Sequence, residues 1–175
     1  WHLDTRPDEH AGMSKRGWQG RLKLAAKALD ECLKRDPMQC LIHGDPKEAN
    51  VMKLNSEGKI SMYDFQYCGK GTPTRDLAYF LCSSCDEDWE DELVNYYFAQ
   101  LKDQLNRQGI TPPTLDHFQQ SLNLAFCDFY RFLCGWGQWG YDLKDKVLTL
   151  LQRLDDGKDL GSEEAYQEAM KDKFW

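Results

Sequence analysis

Apolar residues recur at helical spacing along most of the chain, and this pattern limits the possible folds more than any other feature of the sequence. The first such segment covers residues 14–34 and ends before Asp36-Pro37, since proline disfavours helical geometry in the residue before it. Further segments with the same spacing begin near residues 75, 88, 114, 143 and 162. Thr114 is a suitable N-cap for the longest of them. The sequence therefore predicts one mostly helical domain over residues 1–175.

Residues 40–66 break the helical pattern. Two short apolar runs, "VMKL" at 51–54 and "ISMYDF" at 60–65, flank the glycine-bearing stretch "NSEGK", and this order is typical of a β-hairpin. The following stretch, "YCGKGTPTR" at 67–75, is rich in turn-forming residues and predicts an exposed loop. We therefore expect an α+β fold in which a small β-hairpin is set among helices.

Charge and composition disfavour several classes of partner. The 175 residues carry a net charge of −7, so the chain lacks the broad basic surface of a protein that binds nucleic acid or an anionic membrane. It has neither an apolar run of membrane-spanning length nor a signal-peptide pattern at its start. Seven cysteines without regular spacing indicate reduced thiols, and Cys82 and Cys85 lack the second pair typical of a zinc site. We therefore expect a cytoplasmic protein.

The octet "HGDPKEAN" at residues 43–50 precedes the hairpin and, taken alone, indicates a turn. Asn50 directly precedes the first hairpin strand and Asp64 directly ends the second, so antiparallel pairing should bring the two residues together. A carboxylate and an amide oxygen suit Mg²⁺, which keeps water or phosphate in its other positions. Asp45, one loop away, can accept a proton from an attacking hydroxyl. The three residues together indicate phosphoryl transfer.

The order H-x-D-x-x-x-x-N, hairpin, D-F-x resembles the catalytic and metal loops of the protein-kinase-like superfamily. Gly44 stands where protein kinases usually have arginine. In this respect the sequence is similar to the small-molecule branch of the superfamily: aminoglycoside phosphotransferases, choline kinases and ecdysteroid-kinase-like proteins. The string "YDFQYCGKGTPTRDLAYFL" is most similar to the ecdysteroid-kinase-like proteins. The matching stretch is residues 41–85, and the helices around it fit the C-terminal lobe of this superfamily in order.

The resemblance implies a role for each residue of the two motifs. Asp45 would be the catalytic base that deprotonates a hydroxyl of a small-molecule substrate. Asn50 and Asp64 would hold the Mg²⁺ that bridges the phosphates of ATP, and Lys47 would contact the transferring phosphate.

Two further residues would support the catalytic loop. His43 would brace this loop with its ring, although a catalytic histidine remains an alternative. Asp76 matches a family position that holds the loop through buried hydrogen bonds; the alternative role is capping of its own helix, and the two are compatible. The implied layout is a catalytic loop at 43–50, a metal loop at 64–66 and a helical subdomain at 75–175.

The acceptor pocket is less well marked in the sequence. Phe126, Phe129, Tyr130 and Leu133 have the spacing of a helix core. Asp128 and Arg131 fall on another face of that helix, which we interpret as one that points toward an acceptor. The tryptophan-rich stretch at 136–141 is a candidate part of the acceptor pocket, because in this superfamily helices after the metal loop usually form it.

The resemblance also implies a partner lobe. Kinases of this kind carry a nucleotide-covering loop and a strand lysine ahead of the catalytic loop, whereas only about 40 mostly helical residues precede the octet here. We therefore expect a C-terminal lobe whose N-terminal lobe is absent from this segment, and weak ATP binding by the segment alone. A catalytically inactive, kinase-like scaffold is the alternative function, and a metal-dependent hydrolase is a weaker third.

Overall fold

A computed structural model describes residues 1–53 and 58–174, which form a mostly helical structure with two small sheets. The helices are α1 (Pro7–Gly12), α2 (Gly17–Arg35), α3 (Pro73–Ser84), α4 (Glu90–Arg107), α5 (Leu115–Trp136), α6 (Lys144–Asp155) and α7 (Glu163–Phe174). The strands are β1 (Cys40–Ile42), β2 (Val51–Lys53), β3 (Ile60–Met62) and β4 (Gly69–Gly71). The predicted α+β class is confirmed, and α1 is an addition that the sequence pattern did not predict.

The predicted hairpin is formed by β2 and β3, which pair antiparallel with Val51 opposite Met62. Most of the turn predicted between these strands lies outside the described residues. The exposed loop predicted at 67–75 is wrong, because Gly69–Gly71 forms β4 and pairs antiparallel with β1. The glycines of β4 give no apolar alternation, but they leave room for the partner strand: a Cβ on Gly71 would lie 2.6 Å from Ile42 Cδ1.

Helix α5 lies at the centre of the core and packs against α1, α2, α3 and α6. The predicted core residues Phe126, Phe129, Tyr130 and Leu133 are buried, whereas Leu115 in the first turn is 41% exposed. The helix begins as predicted, since Thr114 Oγ1 accepts a hydrogen bond of 3.2 Å from the backbone N–H of His117. This cap satisfies one of the N–H groups that a helix start leaves without an intrahelical partner.

The interpretation of Asp128 and Arg131 as acceptor-facing residues is wrong, because both are fully buried. Arg131 Nε donates to Asp128 Oδ1 at 2.7 Å. Arg75 on α3 donates to Asp30 Oδ1 on α2 at 2.8 Å and lies 3.3 Å from Asp128 Oδ2. Buried charges require opposite charges nearby. These four residues form a core ion network (Asp30, Arg75, Asp128, Arg131) that joins α2, α3 and α5.

All seven cysteines are reduced, as predicted. Burial raises the pKa of Cys82 to about 12, so this member of the Cys82-x-x-Cys85 pair stays a protonated, unreactive thiol at neutral pH.

In the part of the chain that the structure describes, every helix is too short or too polar to cross a membrane.

Candidate functional site

The catalytic-loop segment 43–50 begins with a backbone conformation that requires glycine. Gly44 has a φ of +84°, in the left-handed region, and a Cβ there would lie 2.3 Å from the carbonyl oxygen of Tyr67. Only glycine combines this φ with such a close approach of another backbone segment. The segment around the metal loop therefore packs directly against the start of the catalytic loop.

Asp76, in the first turn of α3, holds the same segment through two hydrogen bonds. Its Oδ2 accepts a hydrogen bond of 2.6 Å from the N–H of His43, and its Oδ1 accepts one of 3.0 Å from the N–H of Gly44. Burial raises the pKa of this carboxyl, although the two backbone hydrogen bonds oppose the rise. One carboxylate thus holds two successive backbone groups of the loop, and these contacts lie outside its own helix.

His43 braces the loop through both ring nitrogens. Nδ1 lies 3.2 Å from the backbone N–H of Asp45, which can only donate, and Nε2 lies 2.9 Å from the carbonyl oxygen of Tyr63, which can only accept. This pairing gives Nδ1 the role of acceptor and Nε2 the role of donor. The ring also packs against Phe65, with centroids 4.6 Å apart, so His43 connects the catalytic loop to the metal loop.

Asp45 is 6% exposed, and both of its carboxylate oxygens accept hydrogen bonds. Oδ1 accepts one of 2.6 Å from the hydroxyl of Tyr79, and Oδ2 accepts bonds of 2.9 Å from both Lys47 Nζ and Asn50 Nδ2. Burial alone would raise the pKa of Asp45, but the bonds from Tyr79 and Lys47 outweigh burial and hold the pKa below its usual value. The carboxylate is therefore ionised at neutral pH.

Asn50 directly precedes β2, and Asp64 follows two residues after the end of β3. The N–H of Tyr63 donates to the carbonyl oxygen of Asn50 at 3.1 Å, so Asp64 follows directly after the residue paired with Asn50. Both hydrogen bonds of the Asn50 side chain within the described residues use Nδ2 and go to Asp45, which leaves Oδ1 for another ligand. Asp64 is exposed and has a φ of +63°, a conformation that is uncommon for residues other than glycine and often marks functional sites.

The donor set of Asn50 Oδ1 and Asp64 fits a hard cation such as Mg²⁺. In residues 1–53 and 58–174, no three side chains of the His, Cys, Asp and Glu types converge on one point that could hold a metal. A cation at this position would therefore take its remaining ligands from water or from phosphate oxygens.

A cleft of about 390 Å³ opens beside Asp45 and Lys47. Its wall is mostly aromatic and is formed by Trp1, Tyr67, Tyr79, Phe132, Trp136 and Trp139. Arg6 also lines the cleft, with its guanidinium 5.3 Å from the centroid of the Trp136 ring and with a hydrogen bond of 3.1 Å to the hydroxyl of Tyr67. The candidate stretch 136–141 thus contributes two tryptophans to this cleft.

The cleft residues that sequence reasoning missed include Arg6, Tyr67 and Tyr79. Tyr79 has the spacing of an ordinary core residue of α3, and its hydroxyl reaches a carboxylate 34 residues away in the chain. Arg6 and Tyr67 are 61 residues apart. No local motif connects such pairs, because only the packing of α1, α3 and the metal loop brings them to one cleft.

Comparison with known proteins gives one match. The family model of the ecdysteroid kinase-like family matches residues 18–110, a segment that starts in α2, ends after α4 and includes both loops and Asp76. No curated protein matches the chain, and no solved structure matches it.

Proposed function

The chain belongs to the ecdysteroid kinase-like family, and we propose that it is part of an enzyme that transfers the γ-phosphate of ATP to a hydroxyl of a small molecule. Family membership implies a kinase-like phosphotransferase. The nucleotide, the type of acceptor and the residue roles are our proposal. The observation that carries the proposal is the position of Asp45, an ionised carboxylate at the wall of a cleft and in contact with Lys47 and Asn50.

Asp45 is the proposed base. A carboxylate that stays ionised at neutral pH and faces a cleft can orient an acceptor hydroxyl and take its proton during attack on phosphorus. The loop that carries Asp45 is held by Asp76 and His43, and this restraint supports a role for both residues in fixing the base. Lys47, whose side chain is 40% exposed and lines the cleft, is the proposed contact of the transferring phosphate.

Asn50 and Asp64 are the proposed ligands of Mg²⁺. The orientation of the Asn50 amide supports this role, because its nitrogen is engaged by Asp45 and its oxygen remains for a cation. When bound, Mg²⁺ would neutralise charge on the phosphates of ATP. The hydrogen bonds from Asn50 to Asp45 would also keep the metal ligand and the base in a fixed relation.

A second lobe of the same protein is proposed to cover the nucleotide. Four large apolar side chains on the strands and the metal loop are more than half exposed: Leu41, Met52, Ile60 and Phe65. Apolar surface in this position is suited to burial by a nucleotide base and a covering lobe. The proposed layout is a catalytic loop at 43–50, a metal loop at 64–66 and a helical subdomain at 75–175. The reduced cysteines support a cytoplasmic location.

The test is Mg-ATP turnover by the full-length protein against a panel of sterols, amino alcohols and aminoglycosides. Asp45→Asn should lower kcat for the preferred acceptor by about 100- to 10,000-fold, the usual contribution of a general base. The matched control is Asp36→Asn, which changes a carboxylate of similar burial, 8% exposed, outside the cleft and should retain turnover. If no compound is phosphorylated and Mg-ATP does not raise Tm, the scaffold function replaces this proposal.

A further inference from the structure

Tyr79 connects helix α3 to the proposed base. Its side chain is 6% exposed, and its ring stacks on Phe129 at 4.8 Å and packs against Trp139 at 5.6 Å. Its hydroxyl donates to Asp45 Oδ1 at 2.6 Å. Burial, and after it the bond to Asp45, raise the pKa of Tyr79 above its usual value, so the phenol remains protonated and acts as a donor.

The hydrogen bonds of Asp45 distinguish its two oxygens. An ionised carboxylate offers about four acceptor positions, two on each oxygen. Within the described residues, Oδ2 accepts from Lys47 and Asn50, whereas Oδ1 accepts from Tyr79 alone. The remaining acceptor position is therefore on Oδ1, next to the Tyr79 hydroxyl, and Tyr79 itself lines the cleft.

We propose that Tyr79 is a positioning residue that holds Asp45 so that Oδ1 receives the acceptor hydroxyl. This inference rests on the proposed function. In the step, the O–H bond of the acceptor breaks and its proton bonds to Asp45 Oδ1. The acceptor oxygen forms a bond to the γ-phosphorus of ATP. The bond from that phosphorus to the β–γ bridging oxygen breaks, and ADP leaves with the electron pair.

Held in this way, the carboxylate cannot turn its open position away from the cleft. Rotation about the Asp45 side chain would break the bond to Tyr79 and the two bonds to Oδ2 together. Because the Tyr79 ring is buried and packs against Phe129 and Trp139, the core of the protein sets the position of its hydroxyl. A small displacement of a reacting group is enough to slow a reaction severalfold or more, which gives Tyr79 influence over kcat without contact with the nucleotide.

The test compares Tyr79→Phe with Tyr166→Phe in the full-length protein. Tyr166 makes a matched bond, since its hydroxyl donates to Asp155 Oδ2 at 2.7 Å and its side chain is fully buried, but it lies outside the cleft. Tyr79→Phe should lower kcat about tenfold while KM for Mg-ATP changes less than about twofold. Tyr166→Phe should lower Tm and leave kcat unchanged.

The outcomes separate this inference from the proposed function. If Asp45→Asn lowers turnover but Tyr79→Phe does not, the role of Tyr79 is overturned and the base is retained. Equal losses of kcat in Tyr79→Phe and Tyr166→Phe would also overturn it, since both would then reflect stability alone. If Asp45→Asn leaves turnover intact, the proposed function itself fails.

A second variant keeps the test open if Tyr79→Phe does not fold. Tyr79→His retains a ring and a donor but shortens the reach toward Oδ1. The same split is expected, with a lower kcat and an unchanged KM for Mg-ATP, and a kcat equal to that of the unaltered protein would overturn the inference.

Discussion

Asp45 and Asp128 are both buried carboxylates, yet their surroundings differ in kind. Asp128 is fully buried and pairs with arginines of the core ion network. Asp45 is 6% exposed, and its cationic partner is a lysine with a side chain that is 40% exposed. The first carboxylate is enclosed by permanent charges of opposite sign. The second lies at the wall of a cleft and keeps an acceptor position on Oδ1. A molecule in the cleft can therefore reach Asp45, whereas nothing from solvent reaches Asp128.

The two carboxylates also stay ionised for different reasons. Burial alone would raise the pKa of both. For Asp128, the opposing effect comes chiefly from the charges of Arg131 and Arg75. For Asp45 it comes first from the hydroxyl of Tyr79 and then from Lys47. The carboxylate of Asp45 relies on a neutral donor and a partly exposed lysine, whereas both arginines beside Asp128 are enclosed in the core.

The largest effect on stability is expected for Asp128→Asn. Removing this charge leaves the fully buried guanidinium of Arg131 with neutral acceptors in place of its anionic partner: the carbonyl oxygen of Trp1 and the amide oxygen of the new side chain. Loss of one partner from a buried ion pair costs about 3–5 kcal/mol. Urea denaturation of the full-length protein followed by circular dichroism measures the loss.

The control for this substitution is Asp103→Asn, which breaks an exposed pair with Arg107 on α4 and should cost less than about 1 kcal/mol. Asp45→Asn should destabilise the protein less than Asp128→Asn, since the partner that it leaves, Lys47, reaches water. Equal losses at positions 45 and 128 would remove the distinction between the enclosed and the open carboxylate.

Sequence patterns predicted helices α2 to α7 and the hairpin but not α1, because apolar spacing records which face of an element is buried. The strand pairing of β4 was not predictable, since Gly69–Gly71 has no such spacing and its pairing depends on β1. The spacing of the two motifs indicated Asp45, Asn50 and Asp64. The role of Tyr79 was missed and Asp128 was wrongly assigned to the acceptor pocket for the same reason. Apolar spacing shows which residues share a face of a helix, but it does not show which residues of another element that face contacts.

Gly44→Ala is expected to have the next largest effect, in the loop that carries Asp45. The left-handed φ alone costs a non-glycine residue about 1–2 kcal/mol, and the new Cβ would lie 2.3 Å from the Tyr67 carbonyl oxygen, which cannot move without its backbone. We expect a total loss of about 2–3 kcal/mol, measured by the same denaturation, and a fall in kcat in the protein that remains folded.

Gly109→Ala is the control that separates backbone strain from steric clash. Gly109 also has a positive φ, +70°, but a Cβ there meets nothing within 4 Å. It should cost only the conformational part, about 1 kcal/mol, with unchanged kcat. If the two alanine variants lose equal stability, the close contact between the catalytic loop and Tyr67 does not restrain Asp45.

The smallest effect concerns a third buried carboxylate, Asp155, which combines features of the first two. It accepts hydrogen bonds from Arg21 Nε and from the Tyr166 hydroxyl, both at 2.7 Å. Burial would raise its pKa, but the bonds from Arg21 and then Tyr166 outweigh burial and hold the pKa below the ordinary value of 3.8. A depressed pKa in the folded state contributes stability that is present above pH 3.8 and is lost as the pH falls through the folded-state value.

Asp155→Asn should therefore lower stability by about 1–2 kcal/mol at pH 7 and by less as the pH falls below 3.8. The measurement is Tm against pH for the variant and the unaltered protein, from pH 7 to the lowest pH at which both fold. The two curves should converge on the acid side, because protonation of Asp155 removes the same charge as the substitution. Parallel curves would mean that Arg21 and Tyr166 do not stabilise the ionised form of Asp155. They would also weaken the inference that the Tyr79 hydroxyl stabilises the ionised form of Asp45, because the two bonds are of the same kind.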